Sequence, residues 1–252
     1  MMVVRKLAHV GTLSHTSTLI RTWRDFGLQS IVRVGAALAT AAYFAAHANA
    51  APVAPGDIVA LSGTTSAAAP DLAGVVQADT TRPFEIRNNL NQVILSGVVQ
   101  DRVTKSDNLS TMIFAPRLRD LTTPAGTEAW ITGIRIEGFG GWSTDIDFRT
   151  DGLGDVGPNS VERSSGGGES LFFSHGTNII VPPQEQRFLS TLTDAPSYTN
   201  TGRITIFAQN DFGADVFSTT IAGTYVPATV PEPTASWLGG LAALSLMRLR
   251  RR

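Results

Sequence analysis

The chain of 252 residues contains no cysteine. That absence removes disulfides, thiolate metal sites and cysteine nucleophiles together. Histidine is scarce: His175 is the only one after Ala51. A zinc centre built on two or three histidines is therefore excluded from that stretch. A hydrolytic triad would have to join Ser174 and His175 to a distant aspartate. No G-x-S-x-G elbow occurs. Gly166-Gly167-Gly168 does not follow a strand and open a helix, as a phosphate loop does. Lysine is also rare, with Lys105 alone between Ala51 and Thr229. That stretch holds 11 basic against 19 acidic residues, a difference of −8. It lacks the basic face that a phosphate backbone attracts, so no nucleic-acid partner is expected. Helical periodicity is missing from the same stretch.

What is present sits first at the two ends. Residues 35–50 are apolar and rich in small side chains, and Ala48-Asn49-Ala50 fits the A-x-A cleavage pattern. Export-signal cleavage is expected there, with the mature chain starting at Ala51. Arg5, Lys6, Arg21, Arg24 and Arg33, against one acid at Asp25, supply the positive region of a long signal. At the other end, Val230-Pro231-Glu232-Pro233 precedes an apolar run over 235–247 that includes Trp237. Arg248, Arg250, Arg251 and Arg252 close the chain. Each proline lacks an N–H and restricts its predecessor, which holds this segment extended. The apolar run reaches about 20 Å as a helix, short of the about 30 Å hydrocarbon core. Trp237 suits a membrane interface, and the arginines suit the cytoplasmic side.

This order of Pro-Glu-Pro, apolar run and terminal arginines resembles the PEP-CTERM sorting signal of exopolysaccharide-producing Gram-negative bacteria. The resemblance covers only the C-terminal segment. It implies that an exosortase, a membrane-embedded cysteine protease, recognises Pro-Glu-Pro and cuts near it. The tail would then be a transient anchor, removed as a GPI tail is removed. The implied partners are the exosortase, the export machinery, the inner membrane transiently, and exopolysaccharide. The implied destination is the cell surface or extracellular matrix.

Between the ends, residues 51–70 read as a linker or frayed lead-in with one strand at 58–61. Residues 71–226 carry short apolar runs of period near two, separated by Gly, Pro, Asn and Asp. Nine to twelve strands are expected, which predicts an all-β protein: an antiparallel β-sandwich, jelly-roll-like. An N-terminal signal helix and a short C-terminal hydrophobic helix would flank it, the second within a linker and sorting segment over 227–252. Residues 93–99 are apolar on both faces and belong centrally in a sheet. Pro116 predicts an edge or bulge beside 112–114. Arg117 and Arg119 should point to solvent around Leu118. Thr132, Ile134 and Ile136 should share one face of a strand over 130–139.

Candidate chemistry concentrates in residues 140–165. Asp145 and Asp147 would share a strand face, Asp151-Gly152 signals a tight turn, and Asp155 follows in a glycine-rich loop. These four aspartates form a candidate calcium site; the alternative is a polar hairpin whose aspartates cap turns. Arg149 at the third position and Pro158 at the closing position exclude an EF-hand. Asp145/Asp147 or Glu162/Glu169 would serve a glycan-active hydrolase only across a cleft. Trp142, between Gly141 and Ser143, is a candidate glycan platform, with core packing as its alternative. The sequence therefore favours a non-enzymatic, exported structural or adhesive protein with no cofactor. A secreted carbohydrate-binding module is the alternative, and a hydrolase the third reading.

Overall fold

Apolar alternation resolves into thirteen strands and one 3₁₀ turn over residues 50–210 and 215–230, the part described by this computed structural model. The expected signal and tail helices lie outside the described residues. The strands are β1 (Ala51–Pro52), β2 (Ile58–Ala60), β3 (Gly74–Arg87), β4 (Val93–Ser106), β5 (Met112–Phe114), β6 (Arg117–Thr122) and β7 (Trp130–Glu137). There follow β8 (Thr144–Phe148), β9 (Ser160–Arg163), β10 (Ser170–Ser174), β11 (Leu189–Thr193), β12 (Ser197–Gln209) and β13 (Val216–Ala228). One sheet has seven strands, ordered β1-β8-β11-β5-β4-β3, with β6 also on β4; the other has six, ordered β13-β12-β7-β10-β9-β2. All these strand pairings are antiparallel, so the protein is an all-β, sandwich-like fold.

The core lies between the sheets. Leu95, Val99, Val103, Phe114 and Ile146 come from the first, and Ile134, Leu171, Phe173 and Ile206 from the second. Each such side chain contributes about 1.5–3 kcal/mol on burial. Phe114 and Phe139 meet edge to face at 5.4 Å, the geometry that ring quadrupoles favour.

Several expectations change. The strand at β5 is interior, between β4 and β11, and not at an edge. Pro116 instead marks the break between β5 and β6, which pair successively along the long β4. Arg117 is buried at 3% exposure, not solvent-facing. The segment 181–188 folds back over it, with Gln186 donating its N–H to the Leu118 carbonyl at 2.9 Å. Arg117 Nε donates to Gln100 Oε1 at 2.8 Å, Nη1 to Glu185 at 3.2 Å, and the Phe188 ring lies 4.8 Å away. Arg119 stays half-exposed and pairs with its neighbour Asp120. In β7, the register shifts between Gly133 and Ile131 against β12. This bulge puts Ile131 in the core with Ile134 and Ile136, and displaces Thr132 from it.

Residues 51–70 are not a frayed lead-in. β1 ends the seven-stranded sheet on β8, and β2 ends the six-stranded sheet on β9. The chain then crosses the outer face of the first sheet. Ala69 and Leu72 pack there on Ile113 and Leu192, while Thr64 bridges Arg149. The polar stretch 140–165 is likewise not one hairpin: β8 lies inside one sheet and β9 inside the other.

Candidate functional site

Alternation along β9 turns Val161 and Arg163 inward and Glu162 outward. Arg163 is only 3% exposed, yet it has no acid within ion-pair distance among the described residues. A guanidinium has five N–H donors, and here five hydrogen bonds use them. Nε donates to the Gly168 carbonyl at 3.2 Å. Nη1 donates to the Val53 carbonyl at 2.9 Å and to Thr144 Oγ1 at 3.1 Å. Nη2 donates to the carbonyls of Phe139 at 3.1 Å and Trp142 at 2.7 Å. Burial lowers the Arg163 pKa, and the negative charge of Asp194 opposes the shift. Gly168 has φ +67°, and a Cβ there would sit 2.2 Å from Arg163 Nε. One side chain thus fastens the N-terminal segment, the 139–144 loop and the glycine loop together.

The surface that this arginine organises is a depression of about 440 Å³ lined by Pro52, Pro55, Trp142, Ser143 and Asp145, with Arg163 beneath. Trp142 is half-buried, and its carbonyl is held by Arg163. Ser143 N–H donates to Asp194 at 3.0 Å, which fixes the next residue of the same loop. Asp145 stands on β8 opposite Pro52 of β1 and Leu192 of β11. Its carboxylate accepts no hydrogen bond among the described residues. Burial, and then the nearby Asp71 charge, raise its pKa. A ring and an unengaged carboxylate therefore share one concave, preorganised surface. Such a surface can stack on a sugar face and accept hydrogen bonds from its hydroxyls.

Of the four aspartates expected to share a calcium ion, Asp145 is unengaged and the other three are engaged separately. Asp147 is 3% exposed and accepts the N–H groups of Gly63 and Phe148, each at 2.9 Å. Burial raises its pKa, and those two hydrogen bonds pull the other way. Asp151 binds Arg149 through both oxygens and accepts from Ser66 N and Oγ. The Arg149 bond leads in holding its carboxyl well below the usual range. Asp155 accepts from Glu185 N at 2.9 Å. Among the described residues no three acidic or histidine side chains gather to hold a metal ion. The sequence signal misled because Asp147, Asp151 and Asp155 fasten the crossing segments 61–66 and 185 instead of converging with Asp145.

His175 is fully buried, and Gln186 Nε2 lies 3.1 Å from its Nε2. Burial pushes its pKa down to about 4, against the backbone at Asn178 and Gly157. Glu162 and Glu169 are both exposed, on the outer face of β9 and in the loop before β10. Ala50 and Ala51 are half-buried at the start of β1, and Val230 is exposed after β13. Ala48, Pro231, Glu232, Pro233, Trp237, Arg248, Arg250, Arg251 and Arg252 lie outside the described residues. Sequence reading missed Arg163, whose only signal is its place two residues after Val161. No family model, curated protein or solved structure matches the chain.

Proposed function

We propose that this is an exported, non-enzymatic structural or adhesive protein of the cell surface or exopolysaccharide matrix, which contacts glycan through the Trp142 depression. The pairing of Trp142 with the unengaged Asp145 carboxylate in one cleft carries the glycan part of this reading. Delivery rests on the two ends of the sequence. Signal peptidase cuts before Ala51, and an exosortase acts at Pro231-Glu232-Pro233, with the 235–252 tail as a transient inner-membrane stop. The fold is read as jelly-roll-like, because successive connections such as β7 to β8 and β8 to β9 cross between the sheets. The hydrolase reading has less support: Asp147 is tied to backbone N–H groups and His175 to Gln186.

A glycan array tests the binding. The exported protein should retain at least one oligosaccharide, and Trp142→Ala should weaken that binding at least about tenfold, the scale of 1.4 kcal/mol. Asp145→Asn should weaken it less, since the amide still accepts a hydrogen bond. Unchanged binding in a folded Trp142→Ala protein would remove the depression from this role.

A further inference from the structure

A second concave surface lies where the β3–β4 turn, the β6–β7 connection and the end of β12 converge. It encloses about 590 Å³ and is lined by Asn88, Gln92, Thr127, Glu128 and Asn210, among others. That volume is within the range of about 300–1,000 Å³ typical of small-molecule sites. Its polar groups are largely unspent. Asn88 Oδ1 accepts the N–H groups of Leu90 and Gln92, and Asn88 Nδ2 donates to Gln92 Oε1. These bonds fix the turn and leave the Gln92 side-chain Nε2 without a partner among the described residues. The side chains of Thr127, Glu128 and Asn210 make no hydrogen bond among the described residues. Amide, hydroxyl and carboxylate groups together offer both donors and acceptors. That combination suits vicinal hydroxyls. Among the described residues no arginine, lysine or aromatic ring lines this cleft, so Glu128 disfavours an acidic ligand and these side chains offer hydrogen bonds, not stacking.

The two clefts lie at opposite ends of one rigid element. Glu128 precedes the first residue of β7, and Trp142 follows its last residue by a short loop. β7 has 8 residues, which at about 3.3 Å per rise separates its ends by about 23 Å. Asn210 follows β12, whose Gln209 pairs with Trp130 at the start of β7, and this fixes the second cleft to that end.

We propose that the Asn88–Gln92–Glu128–Asn210 cleft is a second saccharide site, specific for neutral glycans, and that the domain cross-links polysaccharide chains by binding one at each end. This rests on the glycan reading of the Trp142 depression. Two weak sites on one body bind a long chain or a network through avidity, which raises apparent affinity about 10²–10⁴-fold without any new contact.

The test uses the exported protein with a neutral polysaccharide, dextran, an acidic one, alginate, and short oligosaccharides from the array. Wild type is expected to raise the viscosity of a neutral polysaccharide solution. The double variant Glu128→Ala/Asn210→Ala is expected to keep oligosaccharide binding at the Trp142 end. It should lose cross-linking, with at least about a tenfold fall in apparent affinity for long chains. Trp142→Ala should show the converse, with residual oligosaccharide binding and no cross-linking. Wild-type cross-linking by a folded Glu128→Ala/Asn210→Ala protein, or complete loss of oligosaccharide binding in Trp142→Ala, overturns the second site. A stronger effect on alginate than on dextran overturns its neutral specificity. No binding by wild type to any glycan on the array overturns the underlying glycan reading instead.

Discussion

Two buried titratable residues oppose each other across mild acid. Asp101 is 2% exposed and joins the sheets, accepting from Arg82 at 3.0 Å and from the Tyr225 N–H at 2.9 Å. Burial raises its pKa to about 6, despite those partners. The folded state then holds this proton more tightly than the unfolded state. Its contribution to stability is full below about pH 4 and is lost as pH rises through about 6. His175, lowered to about 4 by burial, behaves oppositely: its contribution is full above about 6.5 and is lost as pH falls through about 4. Each effect is on the order of 2–3 kcal/mol, and the two largely cancel. Melting temperatures from pH 4 to 6.5 check this. Asp101→Asn should climb with pH more steeply than wild type, and His175→Gln should fall relative to it. Parallel profiles for all three would refute the assignment.

Arg163 supplies the other prediction at this scale. Arg163→Met would strand the carbonyls of Trp142 and Gly168, at about 1–3 kcal/mol for each that stays buried, while those of Val53 and Phe139 keep the Thr144 hydroxyl and the Trp142 N–H. A loss of about 2 kcal/mol or more is expected by denaturant titration, with Arg163→Lys, which has three donors, falling between. A Met variant within about 1 kcal/mol of wild type would mean that water replaces the guanidinium.

Among the elements, the short N-terminal strands matter beyond their length. Residues 51–60 end both sheets, through β1 on β8 and β2 on β9. Removing them would turn β8 and β9 into open edges, each a row of unpaired N–H and C=O groups ready to pair with another chain. A protein starting at Leu61 should melt lower and scatter light at concentrations where the longer form stays clear. Equal stability and solubility would show that β1 and β2 are dispensable. Ala51 itself pairs with Ile146, so a cut before it is easier while the chain is still unfolded. The strand signals at 130–139 and 204–208 were legible because period-two alternation directly reports half-buried strands, and 93–99 because a run apolar on both faces marks a central strand. Of the N-terminal strands, β2 matches the strand expected at 58–61, whereas β1 was not legible, since two residues carry no period. Pro116 was correctly suspicious but ambiguous, because a proline that cannot donate to a ladder fits an edge, a bulge or a break between strands alike.

For the whole molecule, the decisive measurement is the intact mass of the exported protein. It should begin at Ala51 and end near Pro233. A product that still carries Arg252 would refute C-terminal processing. The proposed address rests on the sequence alone, since Ala48-Asn49-Ala50 and Val230-Pro231-Glu232-Pro233 are local patterns that need no tertiary partner. The sequence by itself also determined the all-β class, because alternation is a property of each strand alone. Only tertiary structure decided which polar residues remain available. Asp145, Asp147, Asp151 and Asp155 look alike in sequence, but packing of residues 61–66 and of residue 185 consumed three of them and left Asp145 beside Trp142. Arg163 looked like any surface arginine. The pairing of β9 between β2 and β10 turned it inward, where five backbone and hydroxyl oxygens from the N-terminal segment, the 139–144 loop and the nearby glycine loop meet its five donors.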